Sequence, residues 1–310
     1  MKIITNSTAN TFNLCEQRYC WNAEYGLRTT NYNFPMEVGS MVHEGLDHLL
    51  DKGLTEQHLD EAKHDVLARD KYEEEDEEAL MFARFMLDRY FEHYSREPSE
   101  WVEVISTEET MGYPLNDEYW YFGKVDGLVR DQDGNIWILE HKSTYSIDSE
   151  YLNKVKLDSQ ITRYMLMVKN VLGIDPDGVI YNVLCRPRKY RRNNEGTKTY
   201  LDRNIEEYRT RPKEFMKRQK AFRNPEALDR AKRDLLRVTE EIEEARDRDF
   251  WVRNTGVCFL RSRKCPYTEL CKRGMRPQVL SRFNVYHPEL DLDNALIPDD
   301  ASMEDFDDVL

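Results

Sequence analysis

The chain has 310 residues, 40% of them hydrophobic and 34% charged, with a formal net charge of −14. That length suits one large domain or two small ones, and the composition is that of a soluble globular protein with generous solvent-facing helices. No apolar run approaches the ~20 residues that span a bilayer, so no membrane association is expected. The first residues, MKIITNSTANTF, lack the apolar core of a signal peptide, so the expected location is cytoplasmic. In that setting the six cysteines read as metal ligands or free thiols rather than as a disulfide framework. Charge is unevenly spread: acids dominate residues 51–100 and the end after Arg282, and bases dominate residues 186–233.

In chain order, residues 6–28 begin as a short helix capped by Asn6 or Ser7, with Phe12, Cys15 and Tyr19 on one face. Residues 35–50 form a second helix whose apolar side is Val42, Leu46, Leu49 and Leu50; His43 lies next to it. A histidine there is either a packed residue or a ligand. Residues 51–100 read as a helical insertion, with the acidic run from Glu73 to Glu78 as a solvated face, and Trp101 to Tyr113 as the first strand of a sheet.

The stretch from Tyr119 to Lys142 is the centre of the chain. Two β-rich runs flank Asp131-Gln132-Asp133-Gly134-Asn135, where the Asp-Gly pair favours a hairpin turn because Gly and Asn tolerate positive φ. The second run, Ile136 to Leu139, is continuously apolar, as in a strand covered on both faces. Glu140 and Lys142 follow, two apart and therefore on one face, and a hairpin brings Asp126 close to Glu140. A surface salt bridge is the plain reading. Against it stands the apolar setting, where charged groups need partners or a metal. Two carboxylates and a lysine on one sheet face suit a divalent cation that handles phosphate.

Asp148 to Leu172 reads as one amphipathic helix carrying Gln160 and Tyr164 on one face, and Gly178 to Cys185 as another strand. After it comes Arg186-Pro187-Arg188-Lys189-Tyr190-Arg191-Arg192. Bases interleaved with an aromatic suit phosphate contacts and base stacking; a solvated basic loop is the alternative. Residues 204–249 read as two charged helices broken near Asn224-Pro225. Cys258, Cys265 and Cys271 then cluster tightly enough to indicate a metal site, with Cys15 as the leading fourth ligand and Cys20 the alternative.

Asp126, Glu140 and Lys142 resemble the acidic pair and lysine of the PD-(D/E)XK nuclease superfamily, with Val125 where its motif has proline. Gly39-x-x-x-His43-Glu44 resembles the histidine motif of the RecB-like branch, and Gln160-x-x-x-Tyr164 its Gln-x-x-x-Tyr motif. The cysteines resemble those of its iron–sulfur members, such as AddB nuclease domains, four-cysteine CRISPR-adaptation nucleases and phage-encoded relatives. The interval from Cys258 to Cys265 is longer than their usual one.

The resemblance implies an α/β fold: a mixed central sheet flanked by helices in a restriction-endonuclease-like core over residues 1–285, with an iron–sulfur staple. It implies His43, Asp126, Glu140 and the His141 backbone carbonyl as ligands of Mg²⁺ or Mn²⁺, and Lys142 as the group that holds the attacking water. Gln160 and Tyr164 position the DNA. Cys15, Cys258, Cys265 and Cys271 hold a [4Fe–4S] cluster, with zinc as the alternative. The expected activity is hydrolysis of DNA phosphodiesters from an end, in phage or bacterial recombination or repair. Alternatives are a nuclease subunit of a CRISPR-adaptation or helicase–nuclease complex, and a non-catalytic iron–sulfur DNA-binding protein. Residues 286–310 read as a disordered acidic tail. Its end, Met303 to Leu310, is similar to the acidic tips of single-strand-binding proteins, and either solubilises the chain, competes with DNA or docks on a recombination partner.

Overall fold

The computed structural model describes residues 1–260, 263–286 and 295–298. The architecture is α/β, a mixed sheet with helices on both faces, as the sequence predicts. Its strands are β1 (Lys2–Thr5), β3 (Glu103–Pro114), β4 (Tyr119–Arg130), β5 (Ile136–Thr144), β6 (Gly178–Cys185) and β7 (Met216–Ala221); β2 (Leu27–Thr29) lies outside it. The helices that matter are α1 (Asn6–Leu14), α2 (Phe34–Lys52), α3 (Glu77–Tyr94), α4 (Ser149–Val155), α5 (Ser159–Leu172), α6 (Thr197–Thr210) and α7 (Pro225–Asp247). Helices α1, α5 and α7 pack on one face of the sheet, and α2, α3 and α6 on the other.

β4 pairs antiparallel with β3 along one edge. Its other edge is shared, because β1 runs parallel to Tyr119–Phe122 and β5 antiparallel to Gly127–Arg130. Residues 123–126 fall in the gap between them. The turn from β4 to β5 is held by Asp131, whose carboxylate accepts from the backbone of Asp133 and Asn135 and from the Trp137 indole at 2.9–3.0 Å, with Gly134 at φ 86°. β5 continues into a parallel pairing with β6, whose eight residues are all buried, which explains a sequence apolar but for Asn182.

Several local expectations are corrected. The cap of α1 is Thr5, in a reciprocal capping box with Thr8, rather than Asn6 or Ser7. The helix read over 148–172 is two, because Asp158 turns its carboxylate onto the Gln160 N–H at 2.9 Å and starts α5 afresh. Leu157 is consequently exposed at that corner. Residues 204–249 contain β7 as well as helix: Met-Lys-Arg-Gln-Lys-Ala is the outer strand of the sheet, where lysines protect an edge and mask the β pattern. β1 was likewise not foreseen. Finally, Leu296 in the acidic tail exchanges backbone hydrogen bonds of 2.9 Å with Thr110 and Gly112 of β3. Ala295 and Ile297 pack on Trp120 and Phe122. The tail tip, Met303 to Leu310, lies outside the described residues. Among the described residues no helix is long and apolar enough to cross a membrane.

Candidate active site

The gap in the β4 ladder is where the site forms. Beyond Leu139 the β4–β5 pairing stops, and the His141 N–H, one step further along β5, donates instead to Asp126 Oδ2 at 2.6 Å. Asp126 also faces α2, where His43 Nδ1 lies 3.6 Å from Oδ1. His48, one turn and a residue further on, pairs with Glu61 instead, at 3.2 Å. Burial alone would raise the Asp126 pKa, but His43, the His141 imidazole and that backbone N–H outweigh it and hold the carboxyl down to about 2.

Alternation sends Glu140 and Lys142 to the other face of β5, toward α5. Gln160 Nε2 donates to Glu140 Oε1 at 2.8 Å and lies 3.0 Å from the Tyr164 hydroxyl, and the Lys142 ammonium pairs with the same Oε1. Asp126 thus takes its side-chain partner from α2, and Glu140 takes its own from α5. Glu140 is only 2% exposed, and its Oε2 has no hydrogen-bond partner. Burial, with the Asp126 charge, pushes its carboxyl up to about 7 against the pull of Lys142. Burial would lower the Lys142 pKa, yet Glu140 raises it overall, so the ammonium stays charged. The Tyr164 ring lies close to Gly123, inside the gap, where an added Cβ would stand 2.9 Å from it.

His141 points toward α2. Its Nδ1 lies 2.8 Å from Asn182 Nδ2, its ring meets His43 edge-on, and burial pushes its pKa down to about 3, so the imidazole is neutral. Among the described residues, no group of three or more His, Cys, Asp or Glu side chains is placed so that it could hold a metal ion. The donors nonetheless fit a hard divalent cation: an imidazole, an ionised carboxylate and a buried carboxylate with an orphaned oxygen.

Two acids near the site were not foreseen. Glu108 of β3 sits between the registered pairs Thr107↔Gly127 and Glu109↔Val125, directly across from Asp126, at φ 54°. Asp47 lies one turn beyond His43 on α2. Both look like ordinary solvent-facing acids in sequence; only strand register and helix placement reveal them. A cavity of about 740 Å³ opens beside Glu108, with Thr5, Ser7, Lys124, Gln160 and Tyr164 also in its wall.

The basic stretch is largely tied up internally. Arg188 pairs with Glu214 at 3.0 Å and stacks over Phe215, Arg191 pairs with Glu78, and the Lys189 ammonium bonds the Arg203 carbonyl. The Arg186 N–H joins the Thr144 carbonyl at 2.9 Å, and the Arg192 N–H bonds Glu195 at 3.0 Å. Tyr190 is 85% exposed. The acid-rich insertion and the base-rich stretch thus neutralise one another in part, as Arg209–Glu92 also shows.

Cys15, Cys258, Cys265 and Cys271 line one cavity of about 330 Å³, together with Arg18, Arg253 and Lys272. The lengthened interval is absorbed by a hairpin of Phe259–Leu260 on Arg263–Lys264, which returns the Cys265 N–H to the Cys258 carbonyl at 2.8 Å. The Asn254 N–H points at Cys15 Sγ at 3.4 Å. Cys20 is not among the lining residues; burial pushes its thiol up to about 12.

The chain belongs to the PD-(D/E)XK nuclease superfamily, whose family model matches residues 4–272. It is similar to a solved structure from Eubacterium rectale described as "Putative exonuclease", at 13% identity and a TM-score of 0.45, covering 89% of this chain and 94% of that one. No curated protein sequence matches it.

Proposed function

We propose that the protein is a Mg²⁺- or Mn²⁺-dependent deoxyribonuclease that hydrolyses phosphodiester bonds from DNA ends, in recombination or repair. The observation that carries the reading is the convergence of Asp126, Glu140, Lys142, Gln160 and Tyr164 on one gap in the sheet, beside an open cavity. His43, Asp126 and Glu140, with the His141 carbonyl, would hold the cation, whose chemistry there is to polarise the scissile phosphate and acidify a water. Lys142 brings a permanent positive charge to where charge grows on the phosphate, and orients the attacking water. Gln160 keeps Glu140 aimed into the gap. Tyr164, neutral because burial pushes its pKa up, donates its hydroxyl to the strand. Tyr190, exposed beside the internally paired bases, would stack on a base of the strand.

The same reading assigns a [4Fe–4S] cluster to Cys15, Cys258, Cys265 and Cys271. It is supported by four sulfurs around an apolar cavity, cationic side chains to offset thiolate charge and an N–H aimed at a sulfur. The staple would tie α1 to the C-terminal segment. The test of function is digestion of linear and covalently closed circular DNA with Mg²⁺ or Mn²⁺. Mononucleotides or short fragments from the linear form alone support an end-dependent nuclease. Equal cleavage of the circle rejects end dependence, and no cleavage of either rejects the activity.

A further inference from the structure

Three adjacent strands carry a row of polar side chains across the face that α2 and α3 cover. The registers His141↔Asn182 and Asn182↔Arg218 put β5, β6 and β7 in line. His141 and Asn182 are buried, the Arg218 side chain is 7% exposed, and Tyr90 of α3 is buried beside them. Asn182 Nδ2 lies 2.8 Å from His141 Nδ1 and 3.4 Å from the Tyr90 hydroxyl, which also accepts from Arg218 Nη2 at 2.7 Å. Arg218 in turn stacks on Tyr94 and Trp101, 3.8 and 4.5 Å from their ring centres. The row ends at the site. The β4–β5 ladder stops at Leu139, and the bond from the His141 N–H to Asp126 Oδ2 takes its place one step on. An apolar residue at position 182 would fill the layer without polar atoms to satisfy. Asn182 Oδ1 and His141 Nε2 have no hydrogen-bond partner among the described residues, so the row is costly as packing alone.

We propose that Asn182 is a positioning residue for the reaction. Its amide fixes the His141 ring in one orientation and one tautomer. With the ring it fixes the main chain of residue 141, whose N–H orders Asp126 and whose carbonyl is assigned to the cation. Tyr90 and Arg218 brace the amide from the sheet edge. Asn182 itself contacts neither cation nor DNA in this arrangement. Its loss loosens the cation's ligands and misaligns the water that the cation acidifies, while the surface that binds the strand is untouched. The proposal rests on the reading of Asp126 and the His141 carbonyl as ligands.

The test compares full-length wild type with Asn182→Leu, which keeps the volume and removes the amide, at pH 8 after purification without oxygen. Single-turnover cleavage at saturating DNA should slow about 10- to 100-fold, and the Mn²⁺ concentration for half-maximal rate should rise by a similar factor. DNA affinity without divalent ions should change by less than about twofold. The ring nitrogens of His141 give a readout independent of activity. In protein labelled with ¹⁵N-histidine and free of divalent ions, their magnetic resonance signals, assigned by their loss in His141→Gln, should show one fixed tautomer in wild type. In Asn182→Leu they should move toward the average of the two tautomers. Tyr90→Phe, which removes one hydroxyl, should change rate and signals in the same directions by less, and carries the test if Asn182→Leu does not fold. Cleavage and Mn²⁺ dependence unchanged in the folded variants overturn the proposal alone, as does a slower rate with the His141 signals unmoved or with DNA affinity lost in parallel. Wild type that cleaves no DNA overturns the functional reading and the proposal with it.

Discussion

Replacing Glu140 by Gln removes one charge and almost no volume from the most buried acid of the site. In the folded chain its carboxyl titrates at about 7, against 4.5 for the free group. The unfolded chain therefore loses this proton first as pH rises, so the group's contribution is full below pH 4.5 and is lost as pH passes through 7. The interval corresponds to about 3 kcal/mol. Chemical denaturation without divalent ions, from pH 4.5 to 8, should show wild-type stability falling relative to Glu140→Gln by about that amount. Mn²⁺ binding needs the ionised carboxylate, so wild-type affinity for the ion should weaken about tenfold per pH unit below 7. In the variant that ion should be absent and its pH dependence with it. Parallel stability curves for the two proteins would refute the claim that burial, opposed by Lys142, sets this carboxyl's state.

Gly123→Ala should displace the Tyr164 ring, since the new Cβ would stand 2.9 Å from it, and lower kcat about 10- to 100-fold with little change in thermal stability; an unchanged kcat would remove Tyr164 from the machinery. Anaerobically purified protein should be brown, and Cys258→Ser and Cys15→Ser should each bleach it and lower its Tm, while Cys20→Ser keeps both; stoichiometric zinc without iron would reject the cluster and keep the staple. Thr5→Ala should cost about 1 kcal/mol in denaturant unfolding through the lost capping box, and no loss would mean that the cap is replaced by solvent. Removing residues 299–310, which spares the docked Ala295–Pro298, should tighten DNA binding at low salt and less so at high salt; equal affinity at low salt leaves the tail as a solubility or partner element.

The parts of the site legible in sequence were those whose signal is local. Asp-Gly at 133–134 announces the turn between β4 and β5, the apolar run 136–139 announces a covered strand, and period two puts Glu140 and Lys142 together. What escaped depends on distant partners. The basic stretch looks like a phosphate track until Glu78, Glu92 and Glu214 are seen to pair with it. β7 escaped because an edge strand rich in lysine has no apolar alternation to read. Glu108 and Asp47 are unremarkable acids until register sets one across from Asp126 and helix packing buries the other. The split at Asp158 shows a single side chain overriding a helical period that otherwise runs on.

The central claim is that Asp126, Glu140 and Lys142 hydrolyse DNA together, and single-turnover digestion of end-labelled DNA with Mg²⁺ tests it most directly, with binding measured on the same samples. Asp126→Asn, Glu140→Gln and Lys142→Met should each lower the cleavage rate at least about 1,000-fold while DNA affinity changes by less than about tenfold, because each removes charge needed in the transition state rather than in binding. Cleavage near the wild-type rate in Glu140→Gln or Lys142→Met would contradict the account.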